Sequence, residues 1–319
     1  MGIAILWVLL YHTSWTLFEP LHFIVHKGYG GVDIFLFLSG FGIYFSLERK
    51  GGIFSFYLRR LFKIIPAYWT VLFLLFVKDY GGLIYEGYTK ASLIRAFFMN
   101  AFFLAFLHWQ PVTFNWYIFA LVYFYLLSPV FHALIKKGGG LLLLLFSLFL
   151  PVFFFGKTVY LYAAWRLFLY LLGMITAHLS LTDPDRKIDT GILYGAMFIG
   201  VIALYLTQTY TTGLLDPYGL WFPPFILVTP GLILLLCLLL EKREKWPVLS
   251  LLGRSSLEIY LINVAFKDAL YQRLAFYIGW NDSIFPIAIP LMILAGILLH
   301  FLIEAIRKPV EKMIIQKRG

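Results

Sequence analysis

The chain has 319 residues, of which 61% are hydrophobic, 20% aromatic and only 13% charged, with a formal net charge of +10. That composition excludes an ordinary soluble domain and predicts a polytopic helical membrane protein. The positive charges fall in short clusters between apolar runs, as membrane-protein loops do, so no nucleic-acid partner is expected.

Apolar runs suited to crossing a bilayer, about 20 residues each with some tolerance, lie near 2–18, 32–47, 64–78, 115–135, 139–155, 160–178, 190–208, 222–240, 255–272 and 284–303. They predict an all-α bundle of about ten spans. Ser92 to His108 is apolar but holds Arg95 and Asn100, and is read as a re-entrant or interfacial helix. The first run does not read as a signal peptide: it lacks a basic leader, it carries His12, and no small-residue cleavage site follows. Cys237, the one cysteine, has no intrachain partner, so no intrachain disulfide contributes to the fold.

Orientation follows from the basic residues. Arg49, Lys50, Arg59, Arg60, Lys63, Lys136, Lys137, Arg186, Lys187, Lys242, Arg243, Lys245, Arg254, Arg307, Lys308, Lys312, Lys317 and Arg318 share one side, which takes 18 of the 26 Lys and Arg. By the positive-inside rule both termini are cytoplasmic, which requires an even number of spans. The whole of 1–319 reads as one transmembrane domain without a soluble extracytoplasmic part. Gly138-Gly139-Gly140 and Asp183-Pro184-Asp185 are turns between helices.

Ionisable groups that interrupt apolar runs are candidates for chemistry, because a charge at mid-bilayer costs roughly 2.5 to 3.5 kcal/mol on insertion scales. His12 lies roughly 17 Å from the cytoplasmic start of its helix at 1.5 Å per residue. Its imidazole suits removal of a proton from an acceptor hydroxyl, and the alternative is a structural hydrogen bond to a neighbouring helix. Asp33 opens the second span from the outer side, where a carboxylate would orient the imidazole or simply cap its own helix.

On the next helix Arg60 and Lys63 share a face, with Arg59 one turn from Lys63. This basic cluster suits the phosphates of a nucleotide-bearing thioester, or serves topology and lipid headgroups. Arg166, inside a span, needs a partner, and Asp33 or an anionic substrate group is the candidate. Glu258 and Glu304 are assigned no chemistry, and His108, His132, His178 and His300 show no supporting spacing. His22 and His26 are one turn apart without a third ligand, so no metal is expected.

These residues resemble acyltransferase family 3. The likeness is carried by Ala4-Ile5-Leu6 and Val8-Leu9-Leu10-Tyr11-His12, by Gly31-Val32-Asp33-Ile34-Phe35 and Leu38-Ser39-Gly40-Phe41, and by Arg59-Arg60-Leu61-Phe62-Lys63-Ile64-Ile65-Pro66, where Lys63 replaces a usual Arg. Looser matches are Trp116-Tyr117-Ile118, Tyr125-Leu126-Leu127-Ser128-Pro129, Arg166 with Gly173, and Leu252-Gly253-Arg254-Ser255-Ser256-Leu257-Glu258. The family pattern puts a basic residue at position 1, where this chain has Met1; either the sequence begins late, the expectation adopted, or that partner is lost. Two other departures are Leu121, where many members have Glu, and Asn263, where many have His.

The resemblance implies a membrane enzyme of the bacterial plasma membrane that moves an acyl group, commonly acetyl, from cytoplasmic acyl-coenzyme A to a hydroxyl of an envelope glycan or lipid-linked sugar. It implies His12 and Asp33 as catalytic residues, Arg59, Arg60 and Lys63 as donor-binding residues, and no permanently bound cofactor. The rival reading is a proton-coupled transporter or lipid flippase, with His12, Asp33 and Arg166 as its relay.

Overall fold

A segment that is apolar on every side cannot satisfy its backbone with polar side chains, so its N–H and C=O groups must bond within the segment. The computed structural model describes residues 1–13, 19–49, 52–107, 116–155, 157–186, 189–210, 220–241, 246–280 and 282–316, and every regular element among them is helical. In chain order these are α1 (Gly2–Tyr11), α2 (Glu19–His26), α3 (Gly31–Glu48), α4 (Gly52–Tyr85), α5 (Lys90–Ala101), α6 (Leu104–Leu107), α7 (Trp116–Lys136) and α8 (Gly140–Phe149), followed by α9 (Thr158–Thr182), α10 (Thr190–Tyr210), α11 (Pro223–Glu241), α12 (Pro247–Arg254), α13 (Ser256–Ile278) and α14 (Ile284–Gln316). Short 3-10 turns lie at Gly28–Gly30 and Leu150–Phe154.

Seven of the described helices are long and apolar enough to cross a membrane, or eight if α12 and α13, bent by 63° at their junction, form one span. The expected runs 2–18 and 139–155 correspond to shorter apolar helices, Gly2–Tyr11 and Gly140–Phe154. The second of these changes to a 3-10 turn at Leu150, where Pro151 has no N–H to continue an α-helical ladder. The segment read as re-entrant begins in the twelve-residue α5, capped by the Thr89 side chain on the Ser92 N–H, and turns into α6 at Phe103. His108, Lys50, Lys187, Lys242, Arg243, Lys245, Lys317, Arg318 and the side chain of Lys312 lie outside the described residues.

The chain forms two compact units that interleave in sequence. Unit 1 takes Met1–Gly28, Leu58–Asn115 and Pro247–Gly319; unit 2 takes Tyr29–Tyr57 and Trp116–Trp246.

In unit 2, α3 packs most extensively on α9, while α7 and α8 add to α9 and α10 packs on α11. Small residues let two helix backbones approach closely, which replaces the missing hydrophobic drive inside a membrane. A Cβ on Gly40 would meet the Tyr170 carbonyl oxygen at 2.0 Å, and one on Gly173 would meet that of Phe37 at 2.1 Å. The two glycines therefore set the register of α3 against α9.

In unit 1, α13 packs on α14, and α1 lies against α12 and α13. The α4 helix is tied to the end of α5 by Tyr68, whose hydroxyl donates to the Asn100 carbonyl, and by Trp69, whose indole N–H donates to Ala101 at 2.8 Å.

Candidate active site

Asp33 lies in the first turn of α3, whose N-cap is Gly30 without a side-chain cap bond. The carboxylate is therefore not the cap of its helix; it faces α9. Its Oδ1 is 3.1 Å from Nε of Arg166, and both side chains are only 2% exposed. The α3–α9 register places them together, and the positive end of the α3 dipole favours a carboxylate there.

The Arg166 guanidinium lies between aromatic faces, 4.8 Å from the Trp116 ring centre and 4.2 Å from that of Phe222. Tyr162 packs edge-on to both rings. Such faces stabilise a desolvated cation by about 2 kcal/mol or more. Of this box Arg166 is legible in the sequence as a charge inside a span, and Trp116 only within a family-like motif; Phe222 is one aromatic among many.

His12 caps the C-terminal end of α1, where its N–H bonds back to Val8 and Leu9. Its Nδ1 lies within hydrogen-bond distance of Oδ1 of Asn263 on α13, at 2.6 Å. The Asn263 amide nitrogen in turn donates to the Met292 sulfur on α14 at 3.3 Å, with Asn263 fully buried. All three belong to unit 1, whereas Asp33 and Arg166 belong to unit 2. The group hydrogen-bonded to His12 is an amide, at a position where the family pattern often has His. A buried Asn in a span was the available signal.

Arg59, Arg60 and Lys63 lie on α4, one continuous helix with the span that follows. The first two are half-buried and Lys63 is exposed. Acidic groups share this end of unit 1: Lys63 is within electrostatic reach of Arg60, Glu258, Glu304 and Arg307. Glu258 is buried and meets Nδ1 of His300 at 3.2 Å. Glu304 pairs with Arg307 and, at 2.9 Å, with Lys308.

A second cluster in unit 2 has no spacing signature in the sequence. Glu48 accepts from His132 at 2.6 Å and from Lys136 at 3.0 Å, and the Tyr44 hydroxyl lies 2.7 Å from Nδ1 of His178. His132 and Lys136 are one turn apart on α7, but their partners come from α3, and no local pattern announces such a meeting. The exposed His22 and His26 rings meet through their Nε2 atoms at 2.8 Å.

The model of the acyltransferase family 3 domain matches residues 2–305, nearly the whole chain. No curated protein and no solved structure matches.

Proposed function

Because the chain belongs to acyltransferase family 3 and its helices make it an integral membrane acyltransferase, we propose that it transfers an acyl group, acetyl in the simplest case, from cytoplasmic acyl-coenzyme A to a hydroxyl of an extracytoplasmic envelope glycan or lipid-linked sugar. The observation that supports this reading is His12: a histidine inside an apolar bundle, held at one ring nitrogen by a buried amide. That arrangement suits a base that must not rotate away from its substrate.

In the proposed reaction His12 accepts the proton of the acceptor hydroxyl as that oxygen attacks the thioester carbonyl. The new C–O bond forms, the C–S bond breaks, and the proton leaves with the thiolate as free coenzyme A. Arg59, Arg60 and Lys63 bind the donor phosphates from the cytoplasmic side. Asp33 and Arg166 act as a buried charged pair within unit 2, and the whole chain acts as one transmembrane domain with cytoplasmic termini in the bacterial plasma membrane.

Inside-out membrane vesicles containing the protein, supplied with radiolabelled acetyl-coenzyme A, test this. Label should appear in envelope glycan as an ester labile to hydroxylamine, with an equal release of free thiol. Intact thioester together with movement of a solute would instead establish the transporter reading.

A further inference from the structure

Histidine can serve as a base only at the ring nitrogen that lacks a proton, so the tautomer decides which atom can act. In water the two tautomers exchange readily; inside a bundle the partner of one nitrogen fixes the other. The partner here is the amide of Asn263, which could present either its oxygen or its nitrogen to His12. Met292 removes that choice. A thioether sulfur carries no hydrogen and can only accept, so the amide nitrogen faces Met292 at 3.3 Å and the oxygen faces His12 at 2.6 Å. An amide oxygen also only accepts, so Nδ1 of His12 must carry the proton.

We infer that Asn263, held by Met292, is the positioning residue that locks His12 as its Nδ1–H tautomer and makes Nε2 the atom that takes the acceptor proton. The inference rests on His12 being the base. Three features support it. Asn263 is fully buried and Met292 is 2% exposed, so water does not compete for the amide. The residues come from three helices, α1, α13 and α14, and α13 and α14 form the most extensive packing in unit 1. When Nε2 takes a proton, the Nδ1–H bond to Asn263 becomes charge-assisted and strengthens, so the amide stabilises the imidazolium that the reaction forms.

The neighbourhood also explains why an amide suits this place. On α13 itself Lys267 and Asp268 act on the imidazole, but they pair with each other at 2.6 Å. The other helices packed on α1 bring His22 and His26 on α2 and Arg254 on α12. A neutral acceptor orients the ring without adding another charge to the span.

The test compares four variants in the vesicle assay, each measured for kcat and donor KM and each checked for folding by thermal unfolding in detergent. Asn263→Leu, similar in size but without an acceptor, should lose kcat on the order of 10²-fold, as expected when a base loses its correct tautomer, with donor KM unchanged. Asn263→Asp keeps an oxygen toward Nδ1 and should retain most of kcat. Met292→Leu keeps the packing but frees the amide to flip, and should lower kcat several-fold. His12→Ala should lose kcat on the order of 10²–10⁴-fold.

Full activity in Asn263→Leu, or a loss in Asn263→Asp as deep as in Asn263→Leu, overturns the inference. Should Asn263→Leu fail to fold, Met292→Leu decides, and an unchanged kcat there also overturns it. The two failures remain distinguishable: a fully active His12→Ala removes His12 as the base, whereas a His12→Ala impaired to that extent beside a fully active Asn263→Leu removes only the tautomer lock.

Discussion

Asp33 and Arg166 meet at 3.1 Å with 2% of each side chain exposed, and Arg166 is further covered by Trp116 and Phe222. A buried pair of this kind adds little against an apolar replacement, because desolvation offsets most of the Coulomb attraction. Removing one member is different, since it strands the other charge.

Arg166→Gln is therefore expected to destabilise the protein by about 3–5 kcal/mol, read as a fall in thermal unfolding temperature in detergent. Asn at position 33 in the same chain should restore much of the loss, because no unpaired carboxylate remains. Strictly additive effects of the two changes would show that the pair is not a unit.

His12 is expected to matter for reaction and little for folding, because it sits at the end of α1 rather than within it. His12→Ala should reduce acyl transfer on the order of 10²–10⁴-fold, the usual contribution of a general base, with normal membrane insertion and a loss of stability of only about 1–3 kcal/mol, because the buried Asn263 oxygen loses its donor. Near-parental transfer would remove the catalytic assignment. Loss of folded protein would point to a structural hydrogen bond.

The basic cluster on α4 gives a prediction about the donor alone. Arg60→Ala and Lys63→Ala should each raise donor KM by about tenfold or more, the scale of a hydrogen bond to a charged group, and leave acceptor dependence unchanged. Lys63→Arg should be tolerated, since a guanidinium fork also fits phosphate. Glu258→Gln should lower donor KM, because it removes a negative charge within reach of Lys63. Donor binding indifferent to all four changes would leave the cluster as a topology signal.

Gly40 and Gly173 are expected to be intolerant of any side chain. Alanine at either would place a Cβ about 2 Å from a carbonyl oxygen of the opposing helix, so α3 and α9 must separate. Either variant should lose about 1–3 kcal/mol or more and weaken the Asp33–Arg166 contact that this register creates. The readout is again thermal unfolding, with Gly42→Ala as the control, since a Cβ there meets nothing within 4 Å.

Helical architecture was legible from the chain alone, because unbroken apolar runs such as 222–240 leave the backbone no partner except itself. The candidate charges were legible for the same reason: His12, Asp33 and Arg166 interrupt runs in which an ionisable group is costly, so each had to have a purpose or a partner. Helix lengths were less legible, since α1 and α8 stop where backbone geometry changes rather than where hydrophobicity does. Pairing was decided only by the tertiary structure. Asn263 lies 251 residues from His12, and Glu48 finds His132 and Lys136 across α3 and α7. Such meetings depend on how whole helices seat against one another, through features like the facing glycines of α3 and α9. Hydropathy dictates that a side chain be buried; the packing of helices decides beside what.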